Sequence, residues 1–265
     1  MVTDFARAIY AFTLRDFRED ISYVGHFWLR TGAPVVTILS LWFLSVLVPD
    51  GGHLEAYGGH YFGFAIVGLI GFGLQNQVVS SAARKLRRDM LVGTLEAQAA
   101  SPIAPATLVT GAMAYGVIVA LAGASIIGVA GALLGARFAV APVSLLLTVG
   151  ASVAAFAGLG LLAGGAVLVL QKATPITFAI DSLTFLLTGV SYPIAVLPEP
   201  LQIAAQFLPG TPALEGLRRS LLGGGSVAGP VIHLLLFAAI CLPLGWLAVS
   251  LAMRRARRVG SLASY

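Results

Sequence analysis

The chain has 265 residues, of which 58% are hydrophobic and only 10% charged, where soluble domains carry about 25% charged residues. That excludes a water-soluble globular protein and predicts an all-α integral membrane protein. The net charge of +5 reports topology and attraction to anionic lipid headgroups, and needs no nucleic-acid partner to explain it.

Residues 4–29 come first and are amphipathic. Phe5, Ile9, Phe12, Phe17, Ile21, Val24 and Trp28 recur at roughly helical spacing, with Arg7, Arg15, Asp16, Arg18, Glu19 and Asp20 between them. This pattern predicts a helix lying in the membrane interface with its apolar face in the headgroup boundary. A helix packed on neighbouring protein is the alternative. About thirty residues precede the first apolar run, so no signal peptide is expected.

Six apolar segments follow, at 31–48, 61–83, 106–134, 143–170, 176–192 and 230–252. A span takes about 17–25 helical residues, and continuous apolar runs rather than alternation decide for helices over a barrel. The fifth is short. Arg7, Arg15, Arg18, Arg30, Arg84, Lys85, Arg87, Arg88, Lys172, Arg254, Arg255, Arg257 and Arg258 fall on one face of this arrangement. Only Arg137, Arg218 and Arg219 fall on the other. The positive-inside rule then places both termini in the cytoplasm of a cell whose plasma membrane holds the chain.

The connections carry local signals. The external loop from Pro49 to His60 has no Lys or Arg, and its His53 and His60 fit a solvated loop better than a metal site. In the external region 193–229, Pro200 is expected to open a short helix over 201–208, closed by Pro209-Gly210. A second short helix holds Glu215 and Arg218/Arg219 at i, i+3/i+4 spacing. The first of these is too apolar for a free loop, so it is expected to re-enter the outer leaflet under the shelter of protein. Gly131…Gly135 and Gly160…Gly164 allow close helix approach, assigned to packing within the chain before dimerisation.

Several chemistries are missing. A P-loop needs Gly-Lys-Ser/Thr, yet the two lysines, Lys85 and Lys172, follow Arg84 and Gln171. The chain is therefore not expected to hydrolyse ATP. No Gly-x-Ser-x-Gly elbow or His-Glu-x-x-His pair is present, and Cys241 is the lone cysteine, so no catalytic, metal or cofactor site is expected. Asp181 is the single formally charged residue in the six spans. A charge there costs about 2.5–3.5 kcal/mol on insertion scales, so it should face protein or water. It serves either as a polar element of a substrate or ion path, or structurally, bonded to Ser182, Thr184 or a backbone carbonyl.

The most informative segment is the charged stretch Arg84 to Pro102. Arg88-Asp89-Met90-Leu91-Val92-Gly93-Thr94-Leu95-Glu96, followed by Ser101-Pro102, resembles the cytoplasmic loop of the ABC-2 type exporter permeases. Tyr192-Pro193, Leu197-Pro198-Glu199, Pro209, Pro212 and Glu215-Gly216-Leu217-Arg218 resemble that family's external stretch, with Gly210-Thr211-Pro212 in place of its Asn-Pro turn.

The resemblance implies a coupling helix at 84–102 that docks on a separate ABC ATP-binding subunit. Arg87, Arg88, Asp89, Met90, Leu91, Gly93, Thr94, Leu95 and Glu96 would form it, with Met90, Leu91 and Leu95 as apolar anchors. It implies a second permease subunit, identical or related, with ATP and Mg bound by the partner. It also implies a prokaryotic cell membrane and an amphipathic substrate, a drug or antibiotic before a polysaccharide or glycolipid. The rival from another class is an ion-coupled secondary transporter or channel that uses Asp181.

Overall fold

The computed structural model describes residues 24–47, 59–92, 105–170, 174–223 and 225–259, with the backbone alone at 24–34, 105–108, 112 and 256–259. Every regular element among them is helical, as expected of a chain that must satisfy its backbone without water. In order these are α1 (Val24–Leu47), α2 (Tyr61–Val92), α3 (Pro105–Leu133), α4 (Pro142–Leu170) and α5 (Thr174–Leu187). A 3-10 turn (Ile194–Val196), α6 (Glu199–Gln206), α7 (Gly210–Leu222) and α8 (Ala228–Val259) complete the described residues.

Four helices are long and apolar enough to cross a membrane: α2, α3 from Val109, α4, and α8 as far as Arg255. α5 and the apolar part of α1, Val35–Leu47, are shorter. The 14 residues of α5 rise about 21 Å, less than a hydrocarbon core of about 30 Å.

The central helix is α2, which packs against α1, α3, α4, α5 and α7. Its Leu74, Val78, Val79 and Ala82 share the main core with Met113 of α3, Phe156 and Leu161 of α4, and Leu234 and Val249 of α8. The partners face the other way with apolar side chains such as Val129, Leu146, Leu236 and Ile240, all exposed on the isolated chain as lipid-facing residues would be.

The most extensively packed helix pair is α4 with α8, and glycines let the two approach. A Cβ on Gly158 would lie 2.8 Å from the Cys241 Cβ, and one on Gly245 only 2.5 Å from the Leu161 Cβ. The glycines singled out in the sequence also pack within the chain. Gly160 and Gly164 face Met113 and Leu86, and Gly131 faces Ile66. Gly135 instead serves the α3–α4 turn, where its φ of +99° disfavours any side chain.

Element boundaries differ from the sequence expectation in instructive ways. α1 begins at Val24, inside the segment expected to lie in the interface; Trp28 is on it, while Phe5, Ile9, Phe12 and Phe17 lie outside the described residues. α2 runs nine residues past the expected end at 83, because Arg84 to Met90 are good helix formers and Leu86 and Met90 prolong its buried stripe. α5 ends at Leu187 rather than 192, and Gly189 (φ +75°) turns the chain away.

In the region 193–229 the proline signals hold: Pro200 sits in the first turn of α6, and Pro209 precedes α7. The sheltered helix, however, is α7. It buries Leu214, Leu217 and Leu221, whereas α6 buries only Ala205 and exposes Ile203, with Phe207 exposed just past its end. The α3–α4 connection hooks onto the end of α7 through Ala139 N–H to Leu221 O (2.7 Å) and Ala141 N–H to Ser220 O (2.9 Å).

Candidate functional site

The Val92 end of α2 carries the first set of predicted site residues. Helical periodicity splits them between two faces. Met90 is only 4% exposed and shares the main core with Leu86, Val109 and Met253. Asp89 is buried too, paired to Lys85 one turn earlier at 3.2 Å. On the opposite side Arg84, Arg88 and Leu91 form an exposed strip, with Leu91 62% exposed, and Arg87 is half-buried beside it. Leu91 therefore fits an outward anchor and Met90 fits an internal one. The signal was in the sequence: Val79, Ala82, Ala83, Leu86 and Met90 keep i, i+3, i+4 spacing. Gly93, Thr94, Leu95 and Glu96 lie outside the described residues.

Asp181 lies on α5 beside the middle of α2. Its partner is Asn76, whose Nδ2 donates to Asp181 Oδ2 at 2.6 Å. The expected partners behave differently: Ser182 is exposed, and the Thr184 hydroxyl accepts from Gln75 Nε2. Adjacent residues on α2 thus reach two positions one turn apart on α5 and form a polar seam between otherwise apolar helices. Thr188 extends it by donating to Thr184 O at 2.7 Å. Gln75 is 2% exposed, and its Oε1 has no donor among the described residues; Asp181 Oδ1 is likewise covered and has none among them. Sequence reasoning weighed Asp181 alone. Gln75 and Asn76, an uncharged polar pair within the second apolar run, were the available sign of a complementary site.

Phenylalanines flank the seam. Phe178 and Phe185 sit three residues before and four after Asp181, hence on its face of α5. Phe72, one turn from Asn76 on α2, meets Phe185 edge-on with ring centroids 5.5 Å apart. Phe178 is 70% exposed, and a Cβ on Gly73 would meet nothing within 4 Å.

A further anchor comes from α7. The sequence places both Arg218 and Arg219 within reach of Glu215, and Arg219 pairs with it at 2.8 Å, also donating to Ser226 O. Arg218 is 3% exposed and points into the bundle. Its Nη2 donates to Gly189 O (2.7 Å) and Val190 O (3.2 Å), and its guanidinium lies 3.5 Å from the centre of the Phe64 ring. α7, α2 and the end of α5 are thereby joined. Gly68 makes the junction possible, since a Cβ there would lie 1.9 Å from Val190 O.

Among the described residues no group of His, Cys, Asp and Glu is arranged to hold a metal ion. No curated relative matches the chain. The ABC-2 type transporter family matches it over residues 7–222, from the amphipathic start through the end of α7. With that match covering most of its length, the chain belongs to the ABC-2 type transporter family, as a membrane-spanning permease that partners an ABC ATP-binding subunit.

Proposed function

We propose that this permease exports an amphipathic substrate, a drug or antibiotic before a polysaccharide or glycolipid, on energy from ATP hydrolysed by the partner subunit. In this reading two permease subunits pair in a prokaryotic cell membrane. Each has six spans and cytoplasmic termini, and each presents the Val92 end of α2, with the residues that follow it, to an ATP-binding subunit.

The observation that carries the reading is the continuity of α2. One unbroken helix runs from the middle of the core to the exposed strip Arg84, Arg88 and Leu91. Force applied at that strip acts on a helix in contact with five other elements. Leu91 supplies an apolar anchor and the arginines supply orientation toward an acidic groove.

The reading is tested by co-purifying the permease with its ATP-binding subunit. Leu91→Glu places a charge on the docking face and should reduce recovery of the partner about tenfold or more, as loss of a central apolar anchor does. Met90→Ala, which alters the core, should leave recovery of the folded complex unchanged. Undiminished association of Leu91→Glu would remove the docking assignment. The ion-coupled alternative rests on the intramembrane carboxylate of Asp181. It makes a separate demand: gradient-driven flux through the permease with no ATP-binding subunit present.

A further inference from the structure

We propose that Asp181, held by Asn76 and flanked by Phe72, Phe178 and Phe185, recognises the cationic group of the substrate, an ammonium or another organic cation on an apolar body. The inference rests on the exporter reading and adds the charge class of its cargo.

Four observations converge on it. First, Asp181 lies opposite Asn76, which is about 22 Å along α2 from Tyr61 and inside the apolar run 61–83. A carboxylate at that depth is costly unless a counter-charge accompanies it, and a cationic ligand supplies one. Second, the carboxylate is half committed. Asn76 fixes Oδ2 at 2.6 Å, and Oδ1 retains an unused acceptor.

Third, the surroundings suit an organic cation rather than a hydrated metal ion. Phenyl rings attract cations through their faces within about 6 Å of the ring centre. Phe178 and Phe185 stand on the Asp181 face of α5, and Phe72 meets Phe185 edge-on. Gly73, one turn from Asn76 on α2, leaves that side of the helix uncovered.

Fourth, α5 is lightly held. Phe178, Leu183 and Leu186 are exposed, and of its side chains only Thr184 and Leu187 are buried. A small outward shift of this helix uncovers Oδ1. The basic residue next along α2, Arg84, is exposed and about 12 Å along the helix from Asn76, where it donates to Gln77 (3.2 Å).

The test measures binding to the permease in lipid nanodiscs without any ATP-binding subunit, so its outcome is independent of the exporter's energetics. The probes are tetraphenylphosphonium and its near-isosteric anion tetraphenylborate, with empty nanodiscs giving the lipid background. Wild type should bind the phosphonium in preference to the borate. Asp181→Asn keeps the size of the side chain and should weaken phosphonium binding about tenfold, leaving the borate within about twofold.

Asp181→Glu keeps the charge and should stay within about fivefold of wild type, and Phe178→Ala should lose about threefold for the cation alone. Unchanged phosphonium affinity in Asp181→Asn overturns the proposal. So does an equal loss for both probes, which would mark Asp181 as a purely structural residue. If the cation selectivity holds and ATP fails to drive its transport with the partner present, the exporter reading falls and the site stands.

Discussion

Replacing Arg218 by methionine should destabilise the permease substantially, and the size of the effect follows from three contacts. The arginine is 3% exposed, donates to two carbonyls just beyond the end of α5, and lies on the Phe64 ring. A charge-assisted hydrogen bond contributes about 1.5–3 kcal/mol, and the 2.7 Å contact to Gly189 O belongs in that range. The 3.2 Å contact to Val190 O is longer and weaker, and a desolvated cation–π contact adds about 2 kcal/mol. Against this, methionine removes the desolvation cost of a buried guanidinium, several kcal/mol in sign-reversed favour of the variant. Set against that gain, the lost contacts leave a net loss of about 2–4 kcal/mol.

At about 2–4 °C per kcal/mol for a chain of this size, the unfolding midpoint should fall by roughly 5–15 °C. Cys241 provides the assay. It is the single cysteine, buried in the α4–α8 contact, so a thiol-reactive fluorogenic dye reports its exposure as the bundle opens. Arg218→Lys keeps a charge but not the planar fork and should fall between the two. A midpoint for Arg218→Met within about 2 °C of wild type would refute the reasoning, because it would mean that desolvation cancels all three contacts.

The same junction forbids a side chain at Gly68: Gly68→Ala puts a Cβ 1.9 Å from Val190 O and should lower the midpoint in the same assay by an overpacking cost of about 1–3 kcal/mol. Gly245→Val should be at least as damaging, since a Cβ there already meets Leu161 at 2.5 Å and the Gly158 carbonyl at 2.9 Å; undiminished yield and midpoint would contradict the α4–α8 geometry. Met90→Ala should cost about 2–5 kcal/mol of stability as a large-to-small core change, while Leu91→Glu should leave the midpoint near wild type and act on partner recovery alone. A reversal of that pattern would exchange the inward and outward faces of the α2 end.

What the sequence made legible is what local chemistry decides. Long apolar runs announced helices, and Pro200, Pro209 and Gly223 punctuated the region 193–229 where α6 and α7 start and end. The orientation of Met90 was also legible from its place in the buried stripe of α2; its proximity to the charged loop obscured it.

Partner choice was not legible. Asp181 had Ser182 and Thr184 nearby in sequence, but its bond goes to Asn76, 105 positions away, because α5 lies against α2. Arg218 and Arg219 stand at equally good spacing from Glu215, and only the burial of one face of α7 separates their roles. Among 31 glycines, the pairing of Gly158 with Cys241 and of Gly245 with Leu161 depends on the register of two helices, which no spacing within one helix encodes.

These contacts divide the bundle by the kind of force that holds it. α4 and α8 meet through glycines at distances that leave no room for a methyl group, so their relative position is set by hard packing. α5 is different. It exposes Phe178, Leu183 and Leu186, and it is tied to α2 by a ladder of polar contacts: Asn76 with Asp181, Gln75 with Thr184, and, past its end, Tyr61 OH with Ser191 O and the Gly68–Val190 approach that Arg218 locks.

Interhelical hydrogen bonds within membranes contribute only about 0.6 kcal/mol on average and at most about 1.7. Each rung near the middle of α5 is therefore weak enough to exchange, whereas the Arg218 junction at its end is not. A displacement of α2 should then swing α5 about the Arg218 junction and open the seam at Asp181, leaving the α4–α8 pair unmoved. Motion is placed where the polar groups are, which is also where an amphipathic cation would bind.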